Sequence, residues 1–189
     1  SGKQRIEGLL VRTTKDLLED KSIRPRQPLL GDWLLERGLA LLYAPTGIGK
    51  SWLSMAIAAT VAGGGNLHTW VAPEPRRVLY VDGEMDVSDL QERLRIVTEA
   101  VSGSREMALC NLMLCARHDQ MEGTAFPNLG DDDGREHFLA LARRLRPNLI
   151  ILDNMSTLAS VAEENEAAAW NPFLKLLQGL QQQGIAVFV

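Results

Sequence analysis

From about residue 40 the chain alternates two kinds of segment. Short, nearly continuous apolar runs are separated by longer stretches whose apolar positions repeat at helical spacing. The short runs are Leu39–Tyr43, Val78–Val81, Leu112–Ala116, Leu149–Leu152 and Ile185–Val189. A strand covered on both faces reads this way, whereas a half-solvated strand alternates polar with apolar. Alternation of such runs with amphipathic segments predicts βαβ units and a mainly parallel sheet between two helical layers, a three-layer α/β/α fold. The first intervening helix is expected to run from Lys50 to the triple glycine Gly63–Gly65, which can stop a helix in a left-handed conformation. Asp86 or Ser88 can cap a helix through Leu90–Val97, and Arg135–Leu145 places Phe138, Leu141, Ala142 and Leu145 on one stripe. The last helix is expected to start at Asn171–Pro172, a cap followed by the proline favoured at a first helical position.

The first 28 residues break this pattern. Lys3, Arg5, Arg12, Lys15, Lys21, Arg24 and Arg26 outnumber Glu7, Asp16, Glu19 and Asp20, and Arg24–Pro28 reads as a linker. The expected organisation is a basic N-terminal arm with a short helix over 1–28 and an α/β core over 29–189.

Composition narrows the class without naming a function. The 189 residues are 46% hydrophobic and 23% charged with a net charge of −4, which suits a globular domain rather than a disordered or fibrous chain. No apolar run approaches the roughly 20 residues of a membrane helix. Cys110 and Cys115 have neither zinc nor redox spacing, so a reduced, cytoplasmic protein is expected. The mild acidity argues against coating nucleic acid by bulk charge.

The strongest chemical signal is Ala44-Pro45-Thr46-Gly47-Ile48-Gly49-Lys50-Ser51, a phosphate-binding loop with alanine where glycine is more usual. Gly47 and Gly49 let the backbone curl so that successive N–H groups face phosphate oxygens, and the following helix presents its positive end to the same anion. The nucleotide cradle is expected to span residues 44–52, ending at Trp52. Within it Lys50 reaches the β- and γ-phosphates and the Ser51 hydroxyl holds Mg²⁺. The loop lies between a predicted strand and a predicted helix, the context its mechanism requires.

A Mg²⁺-ATP site also needs a carboxylate at a neighbouring strand end. Val78-Leu79-Tyr80-Val81-Asp82-Gly83-Glu84 and Leu149-Ile150-Ile151-Leu152-Asp153-Asn154 both carry four apolar residues ending in Asp, so spacing alone does not choose between them. One division of labour gives Asp153 the metal and Glu84 the attacking water; the rival makes Asp82 the metal ligand and Asp153 a strand-end cap.

The loop and these two segments, in this order, resemble a RecA-like ATPase, and in particular the group related to the hexameric plasmid replication helicase RepA. Gly38-Leu-Ala-Leu-Leu-Tyr-Ala and Glu164-Asn165-Glu166…Trp170 resemble the same group, and the likeness covers about residues 29–189. It implies that Lys50 and Glu84 are catalytic, that Ser51 and Asp153 serve Mg²⁺, and that Ser156 and Thr157 stand where γ-phosphate is sensed. It further implies a homo-oligomeric ring, a hexamer as in that helicase, in which an N-terminal arm packs on the neighbouring subunit. The sensor histidine, DNA-facing loops and arginine finger of that group follow the strand at Ile185–Val189, so an incomplete core is expected, with single-stranded DNA bound through regions outside this chain. Glu163, Glu164 and Glu166 make the segment after Asp153 a poor phosphate-contacting loop.

Other features carry less. Asp131–Asp133 reads as a capping turn rather than a calcium loop, because glycine falls fourth and no glutamate stands at twelve. His68, His118 and His137 have no metal-ligand spacing. Arg143, Arg144 and Arg146 read as a solvated helix face, and Trp33 as packing with a weaker claim on a base. Three functions compete: a DNA-acting motor ATPase, a nucleotide-gated binding or assembly module with slow or no hydrolysis, and a small-molecule kinase. The kinase lacks an arginine-rich lid.

Overall fold

The computed structural model describes the backbone of residues 4–45, 47–159 and 167–189, and the side chains of residues 7–45, 47–159 and 171–189. Among the described residues three antiparallel hairpins decorate the fold: β1 (Gln4–Ile6) with β2 (Leu9–Val11), β3 (Pro28–Leu30) with β4 (Leu34–Leu35), and β6 (Gly65–Leu67) with β7 (Trp70–Ala72). The central sheet contains β5 (Leu39–Ala40), β8 (Val78–Asp82), β9 (Leu112–Ala116), β10 (Leu149–Asp153) and β11 (Ala186–Phe188). Its order is β5-β11-β10-β8-β9 and every pairing is parallel. The helices are α1 (Thr14–Glu19), α2 (Lys50–Gly63), α3 (Val87–Glu99), α4 (Arg105–Asn111), α5 (Asp132–Leu145), α6 (Met155–Leu158) and α7 (Ala167–Gln182).

Two apolar clusters divide the strand residues by parity, as the pleat requires. Val78, Tyr80, Leu149, Ile151, Ala186 and Phe188 face α2, α3 and α4, whereas Leu79, Val81, Ile150, Leu152 and Val187 face α5 and α7. Both faces are buried, which is why β8 and β10 read as unbroken apolar runs. The expected α/β/α layering is therefore present. Along α2, Met55, Ile57, Ala58, Ala59, Val61 and Ala62 are all buried, and the alanines let this helix lie close against the sheet and α4.

Several boundaries move. Strand β5 is short, yet its pairing continues: Leu42 N–H donates to Val189 O at 2.7 Å and Val189 N–H to Ala40 O at 3.0 Å. Both β8 and β10 extend by one residue to take in their terminal aspartates. Helix α7 begins at Ala167, one turn before the expected Asn171–Pro172 start, and Pro172 lies inside it. The Ala167–Ala169 run is strongly helix-forming and extends the helix upstream, which leaves Pro172 at its sixth residue, where it gives up one i→i−4 hydrogen bond. Helix α4 was not anticipated, because only Ala108 of it is buried and no stripe is legible. Asp86 rather than Ser88 caps α3, and Asp131 caps α5, so the aspartate cluster does form a capping turn.

The arm contains its expected short helix, α1, preceded by the β1–β2 hairpin. No residue of α1 is buried; Leu18 is 81% exposed and Leu9 71%. Trp33 packs edge-on against Trp70 at 5.2 Å between ring centroids and lies 6.1 Å from Phe188, so it is a packing residue. Among the described residues no helix is long and apolar enough to cross a membrane.

Helix α5 carries one sharply testable contact. A Cβ added to Gly134 would lie 2.0 Å from the backbone oxygen of Asn128. Gly→Ala inside a helix ordinarily stabilises by about 1 kcal/mol. Here overpacking reverses the sign, and Gly134→Ala is expected to lower unfolding stability by about 2–3 kcal/mol in urea titrations.

Candidate nucleotide site

The loop after β5 enters α2 through two residues with left-handed backbone, Gly47 at φ 88° and Gly49 at φ 96°. Only glycine accepts these angles without strain, so the turn is set by sequence. Gly49 is the N-cap of α2 and supplies no capping side chain. The first N–H groups of α2 are therefore left for an external anion, at the end where the helix dipole favours negative charge. Lys50 and Ser51 are the first two residues of that helix. The Lys50 ammonium folds over the loop and donates to Ala44 O at 2.5 Å and Pro45 O at 3.1 Å. Pro45, Gly47 and Ile48 are exposed along the loop. Thr46 lies outside the described residues.

The two aspartates come together as direct neighbours: Asp153 of β10 pairs in register with Asp82 of β8. A cleft of about 310 Å³ opens above them, lined by Ser51, Asp82, Glu84, Arg93, Asp153 and Asn154, with Met85 at its wall. The sequence-predicted Ser51, Glu84 and Asp153 thus share one cavity.

The aspartates differ in their bonding. Asp82 is 2% exposed, and its Oδ1 accepts from the backbone N–H of Glu84 at 3.0 Å and of Met85 at 2.7 Å. It shapes the turn that carries Glu84. Burial pushes its carboxyl above the usual range, opposed by those two hydrogen bonds. Asp153 is half-buried, and its Oδ2 accepts from the Tyr80 hydroxyl at 2.5 Å. Glu84 is exposed, and its Oε2 accepts from Asn154 Nδ2 at 3.3 Å. Gly83 N–H donates to Asp153 O at 2.9 Å, tying the two strand ends together. The Asp153–Asn154 peptide bond is cis.

Arg93 and Asn154 line the cleft and Tyr80 bonds one of its aspartates; none of the three was singled out in the sequence, and two had a signal. Arg93 interrupts the apolar stripe Leu90, Leu94, Val97 of α3, where a cation is out of place unless it meets something. Tyr80 is the one polar-tipped residue within the apolar run Val78–Val81. Asn154 offered none. Trp52 does not line the cleft: it sits under the Arg93 guanidinium, 5.2 Å from its ring centroid, beside a second groove formed with Ile48, Leu53, Ile96 and Val101. Ser156 Oγ and Thr157 Oγ1 donate to Asn154 Oδ1 and O, at 2.8 Å each, and neither lines the cleft. Glu163, Glu164, Asn165 and Glu166 lie outside the described residues, as does the side chain of Trp170. Among the described residues no three His, Cys, Asp or Glu side chains gather into a metal cage.

A phosphate loop opening a helix, with acidic residues closing two adjacent parallel strands, defines a RecA-like P-loop ATPase. The chain belongs to the AAA_25 family, an AAA domain, whose family model matches residues 7–189. Among solved structures it is similar to the KaiC-like protein PH0186 from the hyperthermophilic archaeon Pyrococcus horikoshii OT3, with a TM-score of 0.54 at 15% identity over 82% of this chain. The match spans 61% of that structure's chain, and at this identity the likeness speaks to the fold. No curated protein matches the sequence.

The burial of Asp82 makes stability depend on pH. Its folded-state affinity for a proton exceeds the unfolded one, so the protonated form adds stability below the ordinary value of 3.8, and this is lost as pH rises through the raised value. Asp82→Asn keeps an oxygen for both backbone N–H groups and removes the buried charge. Its thermal midpoint is expected to exceed that of the parent at pH 7.5 and to converge with it below pH 3.8.

Proposed function

We propose that the chain binds Mg²⁺-ATP at residues 44–52 and hydrolyses it as one subunit of a ring-forming motor acting on DNA, of the type found in replication and mobile elements. The observation that carries the hydrolytic reading is the convergence of Ser51, Glu84 and Asp153 on a single cleft beside the α2 N-terminus. A hydroxyl and a carboxylate are hard oxygen donors suited to Mg²⁺, which takes its remaining ligands from phosphate and water. In this reading Ser51 and Asp153 hold the cation, and Lys50 swings from the loop carbonyls onto the phosphates. Glu84, exposed and held by one amide, accepts or orients a water proton. The assignment of Asp153 over Asp82 is supported by their bonding: both line the cleft, but Asp82 is buried and engaged by two backbone donors, whereas Asp153 is half-buried and engaged by one hydroxyl.

The motor reading adds a division at residues 28/29, an arm that docks on a neighbouring subunit, and DNA contacts made by regions outside this chain, in the cytoplasm. It is supported by the resemblance to the RepA group and by the arm itself. Leu9, Leu10, Val11, Leu17 and Leu18 are each about half or more exposed, a concentration of apolar side chains that marks an interaction surface. A neighbour's arginine at such a site contributes about 10³–10⁵-fold to turnover, so an isolated subunit is expected to hydrolyse slowly.

Lys50→Ala is expected to abolish nucleotide binding or turnover, and Glu84→Gln to keep binding while hydrolysis falls about 10²-fold. Asp153→Asn should weaken the Mg²⁺ dependence of binding. If Asp82→Asn shows that phenotype and Asp153→Asn does not, the two aspartates exchange roles. Binding without turnover, with or without single-stranded DNA, would make the protein a nucleotide-gated module.

Light scattering tests the arm. The whole chain is expected to self-associate with a non-hydrolysable ATP analogue, and a version starting at Pro28 to remain monomeric. A monomer in both cases removes the ring from this reading.

A further inference from the structure

We infer that Tyr80 is the positioning residue of Asp153: its hydroxyl holds one carboxylate oxygen and presents the other to the cleft, biasing the site toward a small octahedral cation. This rests on the reading above that Asp153 serves the metal. The register places Tyr80 opposite Ile151, so Asp153 stands two residues further along the neighbouring strand on the same face. That diagonal is about 7–8 Å, within reach of a long aromatic side chain. The ring is fully buried in the cluster facing α2, which fixes where its oxygen lies. The 2.5 Å separation is that of a hydroxyl donating to a charged oxygen.

The selectivity follows from geometry. A carboxylate with one oxygen engaged offers a single oxygen to a cation or its water. Mg²⁺ accepts this arrangement, whereas Ca²⁺ favours more ligands and often a bidentate carboxylate. The simpler view, in which the hydroxyl only satisfies its own burial, predicts a loss of stability alone.

The test is a metal titration of nucleotide affinity, read by a fluorescent, non-hydrolysable ATP analogue. In Tyr80→Phe the half-saturating Mg²⁺ concentration is expected to rise about tenfold while that for Ca²⁺ changes little, so the preference for Mg²⁺ collapses. Asp153→Asn should lower the metal dependence by itself, and adding Tyr80→Phe to it should change nothing further. Unchanged preference in Tyr80→Phe, with the Asp153→Asn effect present, overturns the inference while leaving the site intact. Equal weakening for both cations with a lowered thermal midpoint overturns it in favour of a purely structural tyrosine. If Asp153→Asn leaves metal dependence untouched, the assignment of Asp153 fails and the inference falls with it. Should the phenylalanine variant not fold, Tyr80→Met, which also lacks the donor, replaces it.

Discussion

Two carboxylates stand side by side at the ends of adjacent parallel strands, Asp82 beside Asp153, and much of the architecture keeps that pair tolerable. Like charges directly opposite in a sheet repel, and burial deepens the cost. The fold answers with donors: two backbone N–H groups for Asp82 and a buried phenol for Asp153. The β8 turn, the seating of Glu84 and the wall of the cleft all follow from where those donors must sit. Beside them the α2 N-terminus, whose Ser51 lines the same cleft, supplies positive potential. The cleft therefore brings concentrated negative charge against a cradle built for an anion, an arrangement that a cation and a phosphate chain complete together.

The layered fold and the loop were legible because each rests on a pattern that survives without coordinates. Doubly buried strands show as Val78–Val81 and Leu149–Leu152, and the loop shows as glycines at fixed offsets before Lys50-Ser51. Both aspartates were visible as candidates, but their division of labour was not. It depends on which side chain meets backbone N–H groups in a turn and which meets Tyr80 across a strand, and neither relation is written in spacing. Arg93 was passed over because it sits within a helix stripe whose register is certain only once α3 is docked. Helix α4, with a single buried side chain, owes its existence to tertiary contact with α2 rather than to periodicity. Trp52 lines a groove with Ile48, Gly49, Ile96 and Val101 rather than the acidic cleft, a placement that its adjacency to Ser51 does not reveal.

The arm and the core obey different rules. In the core the apolar residues of β8, β10 and β11 are buried beneath helices on one face or the other. In the arm, the β1–β2 hairpin and helix α1 carry Leu9, Leu10, Leu17 and Leu18 with about half or more of each exposed. A segment so short cannot bury enough area to order itself by hydrophobic burial alone. Its helix is held instead by local bonds, the Thr13 cap and the Arg12–Asp20 pair at 2.9 Å.

The charges that close the apolar strands have a role before the protein is folded. Val78–Val81 and Leu149–Leu152 combine apolar character, strand propensity and absence of proline, the composition of segments that stack between chains when exposed. Parallel sheets form late, since their partners are distant in sequence, so these runs stay accessible while the chain searches. Arg76 and Arg77 precede the first run, and Asp82 and Glu84 follow it; Arg146 precedes the second and Asp153 ends it. Charges in such positions act as gatekeepers against intermolecular pairing. The same carboxylates that crowd the finished cleft thus guard the nascent chain, and their removal bears on solubility during synthesis as well as on chemistry afterwards.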